Sequence, residues 1–368
     1  MRILHVITGL HDGGAEGALY RLCKYDGHNT HIVVSLLSGG KYEVKLFDIG
    51  IQTFSLNFNT SLGILKCINN YRNLLASIRP DIVQTWLYHA DFFVSLASIF
   101  IKHKRIYWNI RNYNTSRDAL KFSTRTIVFG NAILSRYVPH RIVSVSENAT
   151  FHHIEIGYDS TKFVTIPNGC EFKECFEVSS EILELRNNTE FLIGMVARYD
   201  PQKDHRNLLN SLVILRELNI EFKCLLVGTR MDCDNADLVK MIEKCGLQDY
   251  VKLLGRRDDV ECIMKVLDLH VLASLGEAFP NVLVEAMSCN TLCVATNVGD
   301  SYKIIDGNGW VVQSRSPEQL ASAILDANNI FLTNKRRWEA LGVKARNSVM
   351  SRFTMDNMVK RYNDVWRG

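Results

Sequence analysis

A chain of 368 residues is long enough for two domains of ordinary size. Its 47% apolar and 22% charged residues exclude a disordered or fibrous chain, and a net charge of +4 is too small to argue for nucleic acid. Ten cysteines, at 23, 67, 170, 175, 224, 233, 245, 262, 289 and 293, form no Cys-x-x-Cys pair and no zinc spacing with histidine, so they read as unpaired thiols of a reducing compartment.

The first segment, Arg2-Ile3-Leu4-His5-Val6-Ile7, is apolar but short and is broken by Gly9 and Asp12. It reads as a first strand rather than a secretory signal. Further short β-branched runs predict strands at His31–Leu36, Gln52–Leu56, Ile82–Thr85, Arg105–Asn109, Arg141–Ser144 and Val164–Ile166. Helical patterns lie between several of them, at Leu62–Ile78, Ala90–Phe100 and Glu147–Ile156. The most hydrophobic run, Phe92–Ile101, is ten residues, half of what a spanning helix needs, and reads as a core helix. Lys102, Lys104, Arg105, Arg111, Arg117, Lys121, Arg125, Arg136 and Arg141 follow it among aromatics. That segment is either a solvated face or a contact for an anionic membrane surface.

After Asn168-Gly169 the alternation lapses into an acidic stretch, 170–190, carrying Glu171, Glu174, Glu177, Glu181, Glu184 and Glu190. It reads as the connection between domains. The alternation then restarts with strands at Phe191–Val196, Phe222–Val227, Tyr250–Leu253, Leu269–Ala273 and Leu292–Ala295. Helices are expected at Leu208–Leu218, Leu238–Cys245, Val282–Met287, Pro317–Phe331, Lys335–Met350 and Met355–Trp366. Two such series predict an α/β chain of two Rossmann-like, doubly wound domains facing across a cleft, with ligand at the carboxyl ends of the strands.

Four stretches carry chemistry. Glu277 and Glu285 flank the turn-forming Phe279-Pro280-Asn281. If a helix opens at Pro280 or Asn281, its free N–H groups favour a phosphate, with one carboxylate before the helix and one a turn inside it. Paired acids of a glycosidase kind, or plain surface acid, are the other readings. Arg198 and Lys203 stand five apart where a strand ends, a planar fork and a point charge suited to a departing diphosphate; an internal Arg–Asp pair in a solvated loop is the alternative. Gly13-Gly14-Ala15-Glu16 follows the first strand, where a glycine pair admits close approach of a ligand or simply turns the chain. His89 lies past the end of a strand, with Asp91 placed to orient it, or is an ordinary structural histidine.

These stretches, with Trp86, Val145-Ser146-Glu147, Ile166-Pro167-Asn168-Gly169, Gly194-Met195-Val196-Ala197 and Thr296-Asn297-Val298-Gly299, resemble the GT-B glycosyltransferases of the family-4 type. The resemblance is strongest to bacterial enzymes that build O-antigen and other surface polysaccharides on a lipid carrier. It departs from the family's pattern at Ala278, where glycine is common, and at Asp300-Ser301-Tyr302.

The resemblance implies a retaining enzyme that needs no metal or other cofactor. It would use a nucleotide-sugar donor, a UDP-linked hexose or N-acetylhexosamine. It implies that Arg198 and Lys203 bind the donor diphosphate, Glu277 the sugar hydroxyls and Glu285 the ribose. The backbone around Phe279, Pro280, Asn281 and Val282 would meet sugar and phosphate. Gly14 would approach the diphosphate from the first domain, and His89, with Glu16 and Asp91, would stand on the acceptor side. The acceptor would be an undecaprenyl diphosphate-linked saccharide at the inner face of the cytoplasmic membrane. Residues 1–170 would form the acceptor domain and 171–350 the nucleotide-sugar domain, with 351–368 a helix packing back on the first. An epimerase on the same architecture and a non-catalytic nucleotide-sugar-binding protein stay open as alternatives.

Overall fold

The computed structural model describes residues 1–58, 63–101, 105–112, 121–172, 177–187 and 190–368. Leu62, Lys102, Lys104, Arg117, Glu174 and Cys175, which enter the readings above, lie outside the described residues. The chain divides into two compact units, Met1–Gly169 with Met355–Gly368, and Cys170–Thr354.

Unit 1 begins β1 (Arg2–Ile7), α1 (Gly14–Tyr25), β2 (Thr30–Ser35), α2 (Lys41–Asp48), β3 (Gln52–Ser55) and α3 (Gly63–Ile78). It continues β4 (Ile82–Trp86), α4 (Tyr88–Ser98), β5 (Ile106–Ile110), α5 (Phe122–Leu134), β6 (Arg141–Ser144), α6 (Glu147–Glu155) and β7 (Phe163–Thr165). The seven strands pair in parallel in the order β3-β2-β1-β4-β5-β6-β7. The central strands β4 and β5 are buried at every position, as expected of a sheet covered on both faces. One face packs Val83, Phe93, Val128 and Ile142 together, and the other packs Leu19, Trp86 and Val143.

Unit 2 runs α7 (Ser180–Asn187), β8 (Leu192–Val196), α8 (His205–Glu217), β9 (Lys223–Val227), α9 (Ala236–Lys244), β10 (Val251–Gly255) and α10 (Val260–Val266). It ends β11 (Leu269–Leu272), α11 (Asn281–Ser288), β12 (Leu292–Thr296), α12 (Ser301–Ile305), β13 (Trp310–Val312), α13 (Pro317–Thr333) and α14 (Lys335–Arg352). Its six strands are parallel in the order β10-β9-β8-β11-β12-β13. Both units are thus doubly wound α/β sheets.

The structure corrects the reading of 170–190 as connection alone. Residues 180–187 form α7, whose Ile182 is buried with Leu192, Leu225 and Ile263. Arg186 of the same helix grips Asp268 with two bonds, at 2.8 and 3.0 Å. Among the described residues of this acidic stretch Val178, Ile182 and Leu185 join that core, too few to give a visible period. Short α10, α12 and β13 escaped notice for the same reason. Cys262 is disulfide-bonded, contrary to the expectation of unpaired thiols, and eight other cysteines are free.

The helix α14 continues through Arg352, beyond the expected boundary at 350, and the last helix, α15 (Met355–Arg367), belongs to unit 1. Met355, Met358, Val359, Tyr362 and Trp366 are buried, the stripe of an amphipathic helix. Trp366 Nε1 donates to Gln84 Oε1 at 3.0 Å, and Asn109 Nδ2 donates to Tyr362 Oη at 2.7 Å. The chain therefore closes the core of unit 1 with its last residues.

The sheet order reverses between β1 and β4 in unit 1 and between β8 and β11 in unit 2. Helices on either side of such a point leave on opposite faces, and a crevice opens at the carboxyl ends of the strands. The loops that flank these two points carry nearly every residue singled out above. Trp366→Ala should lower the stability of unit 1 by about 3–5 kcal/mol, read from the urea unfolding midpoint, because it leaves a large cavity and takes the Trp366 donor from Gln84 Oε1.

Candidate active site

In unit 2 the loop after β8 is set by its own side chains. Asp200 accepts from the N–H of Gln202 at 2.9 Å, with Pro201 at the start of the 3-10 turn Pro201–Lys203. Asp204, at φ 48°, reverses the chain, and its carboxylate accepts from the N–H of Asn207 at 3.3 Å to cap α8. Gly228, at φ 141°, lies so close that a Cβ there would sit 2.1 Å from the carbonyl oxygen of Ala197.

The loop after β11 is tied to this one. The N–H of Leu275 donates to Gln202 O at 2.8 Å, and Gln202 Nε2 donates to Gly276 O at 2.7 Å. Lys203 Nζ then meets Glu277 Oε1 at 2.5 Å, with the two side chains only 15% and 14% exposed. Ser274 Oγ donates to the same oxygen at 2.7 Å. From behind, Thr296 Oγ1 donates to Ser274 O at 2.7 Å. Gly299, at φ 55°, presses on the loop: a Cβ there would lie 2.3 Å from Glu277 O and 2.6 Å from Ala278 O.

Phe279 turns inward against Phe353, ring centroids 5.3 Å apart. Pro280 precedes α11, which opens at Asn281 without a side-chain cap. Its first turn keeps the positive end of the helix dipole close in sequence to Lys203's partner. Val282 and, one turn inside, Glu285 are half-buried.

Arg198 does not join this group. Its side chain is 61% exposed and its Nε donates to Asp200 Oδ2 at 3.1 Å, the loop-internal pair that was the alternative reading. An exposed pair of this kind adds little to stability. Burial would raise the Asp200 carboxyl, but the N–H of Gln202 and the charges of Arg198 and Lys203 outweigh it and hold it below the usual range. Beneath the loop, burial and then the charge of Lys203 push His205 down to about 4 and His270 to about 3. Both rings are neutral at pH 7, so Lys203 meets no second cation there. His270 was missed in the sequence; a histidine inside an apolar strand was its only signal.

In unit 1, α1 begins at Gly14, where an added Cβ would meet nothing within 4 Å. The carboxylate of Glu16 folds back over Gly13, at whose position a Cβ would lie 2.3 Å from Oε2. Burial raises its pKa. After β4, Leu87 adopts φ 73° and ψ 154°, a region otherwise left to glycine. This strained turn delivers His89, half-buried, with its pKa lowered by burial.

Asp91 is a correction. Its Oδ1 accepts from Thr85 Oγ1 at 2.5 Å, the residue is fully buried, and no hydrogen bond joins it to His89 among the described residues. Burial raises its pKa well above the ordinary value, against the Thr85 bond, so it does not orient the His89 ring. Its place on the buried side of α4 decides this. Sequence reasoning also passed over Arg111 as one member of a charge run. It follows β5, stacks 5.1 Å over Trp86 and donates from Nη1 to Asn168 Oδ1 at 2.8 Å.

Among the described residues one trio has metal-ligand spacing, the buried His5, Cys23 and His31. Its chemistry is already committed. Trp86 Nε1, a donor only, gives its proton to His5 Nδ1 at 3.1 Å, so His5 carries hydrogen on Nε2 and donates it to His31 Nδ1 at 2.9 Å. His31 Nε2 then stands 3.2 Å from Asp26 Oδ2, off the line of a good hydrogen bond but close in charge terms. A metal on His5 Nε2 would force its proton against the Trp86 N–H, and burial keeps the Cys23 thiol protonated. The trio does not fit a metal.

Residues 190–329 match the family model described as glycosyl transferases group 1. The phosphatidylinositol N-acetylglucosaminyltransferase GPI3 subunit of Saccharomyces cerevisiae is 33% identical over 376 aligned residues, covering 96% of this chain and 79% of that protein. The chain belongs to the GT-B glycosyltransferases of the family-4 type. This glycosyltransferase is also 22% identical over 227 residues to the Escherichia coli UDP-Gal:alpha-D-GlcNAc-diphosphoundecaprenol alpha-1,3-galactosyltransferase, covering 58% of this chain and 56% of that one. A crystal structure of Anabaena HepE in complex with UDP shares its fold, with a TM-score of 0.84, 20% identity and 99% of each chain covered.

Gly299→Ala should push the Glu277 loop forward, costing about 1–3 kcal/mol in thermal unfolding and weakening nucleotide binding measured by calorimetry. Asp91→Asn tests the buried carboxyl. A folded-state pKa above the unfolded value makes ionisation a cost at neutral pH that fades as pH falls toward about 4. The variant should therefore be more stable than wild type at pH 8, with the gap closing on acidification, and should keep its activity.

Proposed function

We propose that this glycosyltransferase is a retaining, metal-independent enzyme. Its donor would be a UDP-linked hexose or N-acetylhexosamine. Its acceptor would be a saccharide on undecaprenyl diphosphate at the inner face of the cytoplasmic membrane, in O-antigen or surface polysaccharide synthesis. The observation that carries the reading is the Lys203–Glu277 contact at the switch point of unit 2, one loop before the uncapped start of α11. The named specificities of the Escherichia coli relative and the UDP bound by Anabaena HepE support the choice of donor and carrier.

In this reading Lys203 and the N-terminus of α11 take the charge that develops on the diphosphate as the bond to the sugar's anomeric carbon breaks. Arg198 leaves its exposed pair with Asp200 to join them. Glu277, freed from Lys203's full attention when phosphate arrives, accepts from sugar hydroxyls, and Glu285 accepts from the ribose. Backbone around Phe279, Pro280, Asn281 and Val282 lines the same place. The acceptor oxygen bonds to the anomeric carbon from the face the diphosphate leaves, and its proton passes to a donor phosphate oxygen. Unit 1 would hold the acceptor, with Gly14 at the start of α1 and His89 in the turn after β4 as its residues that meet ligand. Glu16 and Asp91 have only supporting places there.

A panel of nucleotide sugars, incubated with the protein and a membrane lipid extract, tests this. UDP release that depends on the extract is expected. Conversion of the donor without acceptor would mean an epimerase, and binding without release a sensor. Lys203→Ala and Arg198→Ala should each lower turnover by about 10²–10³-fold. Arg198→Ala should leave the unfolding free energy within about 1 kcal/mol, whereas Lys203→Ala, which strands the Glu277 carboxylate, should cost up to about 3–5 kcal/mol without unfolding the protein.

A further inference from the structure

We infer that the outer face of α5 docks on an anionic lipid bilayer, an inference that rests on the reading of the acceptor as lipid-borne. The helix is apolar on two sides. Val128 and Ala132 are buried against the unit, as a helix covering a sheet requires. Phe122, Phe129 and Ile133 point the other way, 81%, 66% and 53% exposed, and Tyr137, just past the helix, is 78% exposed. Spacings of seven, four and four residues put all four on one stripe. Water alone would select polar residues there, and large contiguous exposed apolar groups mark a contact surface.

The neighbouring helix also ends in exposed apolar residues. Phe92 of α4 packs at the position of Gly130, and α4 runs out into Ile99 and Phe100, 70% and 71% exposed. Among the described residues no helix is long and apolar enough to cross a membrane, so a bilayer would be met from its surface.

Charge selects the occupant. Lys121, Arg125 and Arg136 fall on or beside the same stripe, and the sequence from Lys121 through Arg141 contains no Asp or Glu. Aromatic and aliphatic side chains enter the boundary between headgroups and acyl chains, while the cations meet anionic headgroups. A second copy of this chain fits less well, because a symmetric pairing of this face would set cation against cation.

The test is co-sedimentation of the full chain with vesicles of phosphatidylglycerol and phosphatidylethanolamine, against vesicles of phosphatidylcholine alone. Binding to the anionic vesicles only, weakened at high salt, is expected. Arg125→Gln and Arg136→Gln should each weaken it about fivefold. The triple variant Phe122→Ser, Phe129→Ser, Ile133→Ser should lose it by at least about tenfold. Phe47→Ser, on the equally exposed α2, should bind as wild type does. Calorimetric UDP binding checks that each variant is folded. Wild type that stays in the supernatant, or a triple variant that sediments unchanged, would overturn the inference. So would lipid-free self-association that the triple variant abolishes, which would assign the face to a copy of the chain. UDP release with a water-soluble acceptor, measured on the same variants, separates the two readings: docking can fail while transfer survives, and the reverse.

Discussion

A parallel sheet whose strand order reverses has to leave two neighbouring loops diverging from adjacent strands, and something must hold them in register. In unit 2 that is Gln202, bonded through both its carbonyl and its side chain to the loop after β11. Once these backbones are tied, Lys203 and Glu277 have little choice but to meet. The pair is a poor candidate for a stabilising device, since taking two charges out of water costs about as much as their attraction returns. Its worth is positional. It keeps a cation and a carboxylate preformed beside a helix start whose N–H groups have no side-chain cap.

The same logic explains the small residues around it. Gly228 and Gly299 sit at positive φ against the backbones of Ala197 and of Glu277–Ala278. Any side chain there would push the charged loops out of place. Thr296 and Ser274 complete the support by passing one chain of hydroxyl bonds from β12 to the carboxylate of Glu277. The carboxylate of Glu277 is thus held from below by a neutral hydroxyl and met from the neighbouring loop by the ammonium of Lys203.

Unit 1 has a different character. Its switch point is built on a strained turn at Leu87 and on buried polar groups linked to one another. Trp86, His5, His31 and Asp26 form one such run, from the end of β4 across β1 to the start of β2, and Thr85 with Asp91 another. The run also reaches the last helix, because Trp366 packs against both imidazoles and bonds Gln84. The last helix therefore helps to hold the polar residues of β1, β2 and β4 in place.

The two-fold alternation of strand and helix, the parallel class and the helix start at Asn281 were legible in the sequence, because each depends on local period and local turn chemistry. So was the placing of Lys203 and Glu277 in loops that follow strands. Their contact was not legible, since 74 residues separate them and only the crossing of two loops joins them. For the same reason Arg198 looked like Lys203's partner, five residues away, yet pairs with Asp200. Asp91 looked like a partner for His89 because the two are close in sequence, but α4 turns it toward Thr85. Helix α7 was hidden by its acids and Arg111 by the cations around it, because composition does not show which side chain is buried. Sequence period decides what an element is; which of its polar groups face each other is decided by packing, because a buried charge must find its partner wherever the fold puts one.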